Sequence, residues 1–240
     1  VLNNYYRQFF KINNLDELKK NKFIKLVPRK MIKRSSAFQY YKNRFQTNLN
    51  EKVKIPDDLN EDLMELIGII LGDGSIKKNV LRVVNADKEI IDFVIKTIKN
   101  NFRLKSTIRK AGKSEICKEV SINSAILVSF LENIGIKGNV YTKRIPEICF
   151  WRKEKEVSAL LRGLFDTDGS VILNRRKDHI ISISFASQAL IKDTLVLLAK
   201  IGIIGKINGS KRNRIAITGE RNIKLFREKI GFRIKKKEKL

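Results

Sequence analysis

The sequence contains few cysteines and histidines, and this shortage argues against several kinds of site. Cys117 and Cys149 are the two cysteines, without a Cys-x-x-Cys partner, and His179 is the single histidine. The chain therefore lacks the cysteines and histidines that a zinc finger, a histidine-based nuclease or a histidine-dependent triad needs. Solitary cysteines are typical of a reducing compartment. We expect an intracellular protein, in cytoplasm, nucleoid or organelle matrix, that is not secreted.

Long apolar runs are also missing. No stretch approaches the roughly 20 apolar residues that span a bilayer, and the first residues lack the pattern of a secretory signal. The sequence therefore predicts no membrane partner. A chain of 240 residues can form one large or two small domains with an ample core.

Acidic residues are outnumbered by basic ones. The chain has 51 Lys and Arg against 25 Asp and Glu, a formal net charge of +26. The basic residues are spread along the whole chain, which predicts a broad surface for a polyanion, with nucleic acid as the favoured partner. The alternative is a cation-rich surface that reflects only a biased composition, since Asn and Ile are abundant as well.

One motif occurs twice. Residues 66–75, LIGIILGDGS, recur as residues 161–170, LRGLFDTDGS. Both copies are apolar helical runs with glycine in the third place, and both close on Asp-Gly-Ser. Asp73 and Asp168 hold the same place in each copy, 95 residues apart. So long a period indicates two similar half-domains rather than a solenoid of short repeats.

These two aspartates stand at an unfavourable place for a carboxylate. Asp-Gly after an apolar helix puts the carboxylate in the last turn, with glycine free to adopt the left-handed conformation that ends a helix. The helix dipole has its negative pole there. A divalent cation would remove the conflict, and hard oxygen ligands at two helix ends suit Mg²⁺. One copy alone is an ordinary helix exit through a turn, but a matched pair favours the metal.

The residues after each motif predict the same order twice: helix, hairpin, helix, hairpin, helix. The predicted segments are 75–78, 80–85, 88–102, 107–110, 116–122 and 125–134, then 171–174, 180–185, 187–200, 205–207, 214–217 and 222–230. Asp73 to Gly135 spans 62 residues and Asp168 to Gly231 spans 63. The sequence therefore predicts an α+β fold of two pseudo-symmetric half-domains, residues 58–150 and 151–240.

Residues 1–57 lie outside the repeat and mix aromatic with basic residues. This mixture suits a DNA-binding arm. It suits a small helical cap with a solvated basic face equally well, so both interpretations stay open for this N-terminal extension.

Two hairpins in each half predict antiparallel sheets with one face on the helices and the other in solvent. Ribbons of this width enter the major groove, where Arg and Lys read guanine, while most cations contact phosphate alone. The candidates for this DNA-binding face are Lys77, Lys78, Arg82, Arg109, Lys110, Lys113, Lys118, Arg175, Arg176, Lys177, Lys206, Lys211, Arg212 and Arg214.

The two motif copies resemble the paired motifs of the LAGLIDADG homing endonucleases, in the single-chain form with two motifs. The second copy matches closely. The first departs from the family at Ile67, the alanine position, at Leu71, the first acidic position, and at Gly72 before the essential aspartate. The resemblance covers roughly residues 58–240. It implies two αββαββα halves whose motif helices cross at the residues Gly68, Gly72, Gly163 and Thr167.

The resemblance also implies the chemistry. Members of this family bind Mg²⁺ with the two motif aspartates, here Asp73 and Asp168, and cut both strands of a long DNA site. For this chain it implies a monomeric hydrolase acting on double-stranded DNA at an asymmetric target, with Mn²⁺ or Ca²⁺ substituting for Mg²⁺ in binding.

A catalytic lysine in each half is implied by the same resemblance. Lys143 begins a Lys-x-Ile-Pro segment similar to that of the family's intein-type members, although it is equally an ordinary residue of a basic linker. The residues after Gly231 resemble the family's closing pattern, which indicates Lys237, with Lys236 and Lys239 as neighbouring alternatives. Asp166 lies on the motif's first acidic position and is interpreted as a supporting residue at most.

Other functions stay open. An RNA maturase or a transcription regulator would bind nucleic acid on this fold without cutting, but a non-cutting binder has no need of charge at two helix ends. A protein that uses only its charge, for an acidic ligand or the ribosome, leaves the repeat unexplained. The chain begins with Val1 and ends without His-Asn. We therefore expect an intron-encoded enzyme or an excised endonuclease portion rather than an intact self-splicing intein.

Overall fold

The computed structural model describes residues 53–56, 58–112, 116–173, 179–208 and 213–238, so the predictions for residues 1–52 and 57 lie outside it. The first half consists of α1 Glu61–Asp73, β1 Gly74–Lys77, β2 Val80–Asn85, α2 Lys88–Phe102, β3 Thr107–Lys110, β4 Lys118–Asn123 and α3 Ala125–Ile134. A 3₁₀ segment, Glu147–Trp151, leads to the second half. That half consists of α4 Glu154–Asp168, β5 Gly169–Leu173, β6 His179–Ser184, α5 Gln188–Lys200, β7 Gly205–Asn208, β8 Arg214–Ile217, α6 Glu220–Lys229 and the short α7 Lys235–Glu238.

Each half contains one four-stranded antiparallel sheet, and the two sheets have the same topology. The strand orders are β1-β2-β4-β3 and β5-β6-β8-β7. The first residue of each first strand takes the same place in the ladder, with Gly74 opposite Val83 and Gly169 opposite Ile183. The predicted α+β fold of two αββαββα halves is confirmed.

The motif helices α1 and α4 pack against each other at the centre. A Cβ atom on Gly68 would lie 2.1 Å from the carbonyl oxygen of Leu160, and one on Gly163 would lie 2.3 Å from that of Glu65. Because real Cβ atoms never approach backbone so closely, only glycine permits this crossing. Both helices are buried over most of their length, and one continuous apolar core runs through the two halves.

The exit from each motif helix differs from the prediction of a left-handed glycine. Gly74 has φ −86° and Gly169 has φ −81°, both extended, so the strand begins directly after the aspartate. Glycine is required there for space. A Cβ atom would lie 2.5 Å from the carbonyl oxygen of Ile70 at the first site, and 2.3 Å from that of Phe165 at the second.

Several predicted bounds were wrong by one or two residues. β4 begins at Lys118 rather than residue 116, and β5 and β6 begin at Gly169 and His179 rather than residues 171 and 180. The short helix α7 was not predicted, because three consecutive lysines carry no apolar periodicity. Among the described residues, no helix combines the length and the apolar character that a membrane crossing needs.

Candidate active site at the motif helix ends

The C-terminal ends of α1 and α4 touch. A Cβ atom on Gly72 would lie 2.1 Å from Oγ1 of Thr167 and 2.5 Å from Oδ2 of Asp168. The carboxylate of Asp168 therefore lies against the residue that precedes Asp73. The fold thus brings together the two aspartates that the sequence places 95 residues apart, with Gly72 and Thr167 at the point of contact.

Asp73 is held by an amide that the sequence analysis did not find. Nδ2 of Asn85, at the end of β2, donates to Oδ2 of Asp73 over 2.6 Å, while Oδ1 of Asn85 accepts from the backbone N–H of Asp87 over 2.6 Å. Asn85 is 9% exposed and continues the buried row of Leu81 and Val83. Loss of hydration raises the pKa of Asp73, and the hydrogen bond from Asn85 opposes that rise.

The carboxylate of Asp168 has a weaker hydrogen bond than that of Asp73. Oγ1 of Thr167 lies 3.2 Å from its carboxylate, but the same hydroxyl also approaches the carbonyl oxygens of Gly163 and Leu164, at 3.1 and 2.9 Å. Loss of hydration at the helix junction, followed by the negative charge of Asp73, raises the pKa of Asp168 to about 6. Two carboxylates that repel each other favour a cation between them.

A lysine ammonium group caps each motif helix. Nζ of Lys143 donates to the carbonyl oxygens of Gly74 over 2.8 Å and of Leu71 over 3.0 Å, at the end of α1. Nζ of Lys237 donates to those of Phe165 and Asp166 at the end of α4. Positive charge is favourable at this pole of the helix dipole. Loss of hydration lowers the pKa of both lysines, and nearby carboxylates oppose this, those of Asp168 and Asp73 at Lys143 and those of Asp166 and Asp87 at Lys237.

Of the three lysines considered near the C-terminus, Lys237 lies at the helix end. Lys236 instead forms an ion pair with Asp87, and Lys239 lies outside the described residues. Asp166 supports this segment, since its carboxylate accepts from the backbone N–H groups of Arg233 and Ile234 at 3.0 and 3.3 Å. Burial raises the pKa of Asp166 to about 6, with a smaller contribution from the charge of Glu65.

A second polar cluster joins the halves behind the aspartates. Glu65 of α1 is 1% exposed and accepts from Nη2 of Arg162 over 2.6 Å and from Nη2 of Arg233 over 3.0 Å. The Arg233 guanidinium also lies 3.9 Å from the ring centroid of Phe93. A buried glutamate between two arginines links α1, α4 and the C-terminal segment, and removing either arginine would leave its charge less compensated.

The strand register divides the predicted DNA-binding residues between two faces. Lys77, Arg82 and Arg109 share the solvent face of the first sheet, where Arg82 lies 3.7 Å from Glu119. Lys110 and Lys118 pair in the row of the buried Asn85, so they lie on the helix-facing side, exposed at its edge. The predicted solvent-face position of those two lysines is therefore wrong, because the register sets their alternation.

Three more of the predicted cations lie within the described residues. Lys206 and Arg214 lie on the solvent face of the second sheet, and Lys78 occupies the β1–β2 turn with φ 53°. The structure does not describe six others, namely Lys113, Arg175, Arg176, Lys177, Lys211 and Arg212.

The donor set at the helix ends fits one kind of metal better than others. Within the described ranges there is no group of three or more His, Cys, Asp or Glu side chains that would bind a metal as a complete protein cage. Mg²⁺ needs few protein carboxylates and completes its shell with water and phosphate oxygens. Asp73 and Asp168 fit that ion, and they do not fit zinc, which takes nitrogen or sulfur ligands in closed sites.

A family model described as "LAGLIDADG-like domain" matches residues 60–135 and 155–231. The chain belongs to the LAGLIDADG family. The two matched ranges coincide with the two αββαββα repeats, so the resemblance seen in the motifs extends to both halves in full.

Curated relatives contain the matching sequence as a small part of a longer chain. The glutamine–fructose-6-phosphate aminotransferase of Methanocaldococcus jannaschii is 32% identical over 84% of this chain, which spans 19% of that protein. A probable translation initiation factor IF-2 of Thermococcus kodakarensis is 34% identical over 71% of this chain, which spans 14% of it. Proteins with unrelated names thus share one segment similar to this chain.

Solved structures share the fold at low sequence identity. The homing endonuclease I-WcaI bound to its DNA recognition sequence has a TM-score of 0.55 at 17% identity, covering 95% of this chain and 98% of that one. I-DmoI in complex with DNA and Ca has a TM-score of 0.51 at 18% identity, covering 71% and 88%.

Asn85, Glu65 and the residues that hold the lysine segments were not found from the sequence. Asn85 did leave a signal, since it is the polar member of an alternating row with Leu81 and Val83. A polar residue on a buried strand face needs a partner. Glu65 interrupts the apolar side of α1 in the same way, but its partners lie 97 and 168 residues further along the chain.

Proposed function

We propose that this chain is a site-specific endonuclease that hydrolyses both strands of a long, asymmetric double-stranded DNA site. The observation that carries the proposal is the junction of the motif helices. Two aspartates meet there, and each helix end carries a lysine ammonium group. A purely structural helix crossing needs the glycines, but it gains nothing from carboxylates at the negative poles of both helix dipoles.

Asp73 and Asp168 are the residues that would hold a divalent ion, Mg²⁺ in our proposal. The raised pKa of Asp168, caused by loss of hydration and by the charge of Asp73, indicates a site short of positive charge. When bound, the ion supplies Lewis-acid stabilisation of the negative charge that develops on the scissile phosphate. Asn85 fixes the orientation of one ligand by its hydrogen bond to Oδ2 of Asp73.

Lys143 and Lys237 contribute positive charge that stays in place before DNA arrives. Each ammonium group is half-buried and held by main-chain carbonyl oxygens, so it needs little reorganisation. We assign one lysine to each strand, because the two lie at the ends of different motif helices. Loss of hydration lowers the pKa of both groups, which makes each a better proton donor to a leaving oxygen than a fully solvated lysine.

The DNA would lie on the solvent faces of the two sheets. Lys77, Arg82 and Arg109 provide cations on the first sheet, and Lys206 and Arg214 provide them on the second. The net charge of +26 favours long-range attraction of a polyanion. The two faces differ in sequence, so a single monomeric chain would bind an asymmetric site.

The matches to segments of an aminotransferase and of a translation factor support a mobile origin. We propose that the chain is a homing enzyme of the intron- or intein-encoded kind, which cuts alleles that lack its own reading frame.

The experiment first selects targets and then tests cutting. Purified protein enriches binders from a random duplex pool in Ca²⁺, and the enriched duplexes then receive Mg²⁺ or EDTA. We expect discrete double-strand cuts that require Mg²⁺ and are lost in Asp73→Asn and Asp168→Asn, while Asp92→Asn, an exposed carboxylate on α2, cuts normally. Wild-type protein that binds its selected duplexes tightly and never cuts them would disprove the nuclease and favour a binding role.

A further inference from the structure

The segment that carries Lys143 is attached to the opposite half of the molecule. Oγ of Ser187 donates to the backbone carbonyl of Lys143 over 2.6 Å. Asp193 accepts from the backbone N–H of Ile145 over 3.0 Å and from Nη2 of Arg144 over 3.1 Å. Ser187 caps α5 and Asp193 lies on it, so both belong to the second half, whereas the Lys143 ammonium group reaches the end of α1 in the first.

The segment that precedes Lys237 is attached in the mirrored way. The Arg233 guanidinium stacks on the ring of Phe93 in α2 of the first half, at 3.9 Å. Lys236 forms an ion pair with Asp87, the N-cap residue of α2. The Lys237 ammonium group meanwhile reaches the end of α4 in the second half.

The attachment points occupy equivalent positions in the two halves. Asp87 and Ser187 are the N-cap residues of α2 and α5. Phe93 and Asp193 lie six residues further along their respective helices. The two halves therefore use the same two helix positions for the same purpose, although the side chains differ: a carboxylate and a ring in α2, a hydroxyl and a carboxylate in α5.

We propose that Ser187 and Asp193 are positioning residues for Lys143, and that Asp87 and Phe93 position the segment that carries Lys237. Each lysine-bearing segment is therefore bound by the half of the molecule that its lysine does not serve, and the Lys237 segment is bound by Asp166 of its own half as well. The consequence for catalysis rests on the proposed endonuclease function, but the positioning itself does not.

Simple packing does not account for Asp193. It is 6% exposed, and a buried carboxylate is unfavourable unless its partners compensate it. The two groups that donate hydrogen bonds to it lie within two residues of Lys143, on the linker. The equivalent Phe93 shows that an apolar side chain can occupy this helix position in the same fold. We therefore assign the Asp193 carboxylate to binding the linker that carries Lys143.

The first test needs no cutting. Lysines are acetylated with a water-soluble active ester in the intact protein, and modification is quantified residue by residue by mass spectrometry. We expect Lys143 and Lys237 to be protected relative to the exposed Lys192. Asp193→Asn should raise the modification rate of Lys143 by about tenfold, the factor that corresponds to loss of a charge-assisted hydrogen bond, without changing that of Lys237.

The mirrored variant and a control complete the test. Phe93→Leu should expose Lys237 and leave Lys143 protected, and Asp92→Asn should expose neither. Equal exposure of both lysines in Asp193→Asn would indicate general loosening of the fold and overturn the proposal, as would unchanged protection of Lys143.

A second readout separates the two strands of a cleaved duplex. With each strand labelled at one end, Asp193→Asn should slow one strand by about 10- to 100-fold, the effect of misplacing a catalytic group by roughly 1 Å, and Phe93→Leu should slow the other. A fraction of unfolded protein slows both strands equally, so equal slowing would overturn the proposal. If wild-type protein cuts no duplex, the endonuclease function fails and the acetylation pattern still decides the positioning.

Discussion

The two halves share one topology and support their aspartates with different side chains. Asp73 receives a hydrogen bond from Asn85, whereas the equivalent place in the second half, two residues beyond Ile183 in the strand register, is the buried Phe185. In return the second half has Asp166, which binds the C-terminal segment, where the first half has the buried Leu71. The two halves therefore share the helix crossing that places the motif aspartates, and they differ in the side chains that bind those aspartates and the lysine segments.

The first prediction concerns the point where the halves are most alike. Gly68→Ala and Gly163→Ala each place a Cβ atom within 2.3 Å of a carbonyl oxygen on the other helix, so the helices must separate. We expect each variant to lower the free energy of unfolding by about 3 kcal/mol or more, measured by chemical denaturation. A variant with the stability of wild type would show that the helices pack less tightly at that glycine than the geometry indicates.

The sequence was sufficient for the common part of the two halves. The resemblance of the two motif copies to the LAGLIDADG family predicted the crossing helices, and the nearly equal spans of 62 and 63 residues predicted the repeated fold. It was not sufficient for Asn85, Glu65 and Asp193, because their partners are set by tertiary contacts up to 168 residues away. The conformation of Gly74 was mispredicted because the crowding comes from the preceding turn, Ile70, and not from a need for positive φ.

The second prediction tests the unequal support of the aspartates. Asn85→Ala removes the amide that orients Asp73, and we expect cutting at limiting Mg²⁺ to fall by about 10- to 100-fold, as is usual for residues that orient a metal ligand. Thr167→Val removes a hydroxyl that is already shared with two carbonyl oxygens, so we expect a smaller loss. The measurement is the Mg²⁺ dependence of single-turnover cleavage. A larger loss in Thr167→Val would reverse the ranking of the two supports.

The third prediction uses the raised pKa of Asp168 in the folded protein. The pKa of Asp168 is about 6 in the folded protein because of lost hydration and the nearby charge of Asp73, whereas an unfolded aspartate titrates near 3.9. Between these values the folded state binds more protons than the unfolded state, so stability falls as the pH rises through this window. The titration of Asp168 should therefore make the Tm of metal-free protein lower at pH 7 than at pH 4.5.

Asp168→Asn should remove that part of the pH dependence and raise the Tm at pH 7. Asp166 has a pKa of about 6 as well, so the slope is reduced and not abolished. Excess Mg²⁺ should stabilise the wild type at pH 7 more than Asp168→Asn, since an ion that binds only the folded state stabilises it by mass action. A pH profile that is the same in the variant and the wild type would contradict the raised pKa.

The smallest expected effect concerns the two faces of the first sheet. Arg82→Ala and Arg109→Ala remove cations from the solvent face, and each should weaken DNA binding and lower the slope of log K against log [salt] by about one. Lys110→Ala and Lys118→Ala remove the same charge from the helix-facing edge, and we expect a change in slope near zero. Because all four variants lose one positive charge, net charge is matched. Equal slopes for all four would mean that the DNA responds to the overall charge and not to the sheet face, and the placement of the duplex on the two solvent faces would then have to be abandoned.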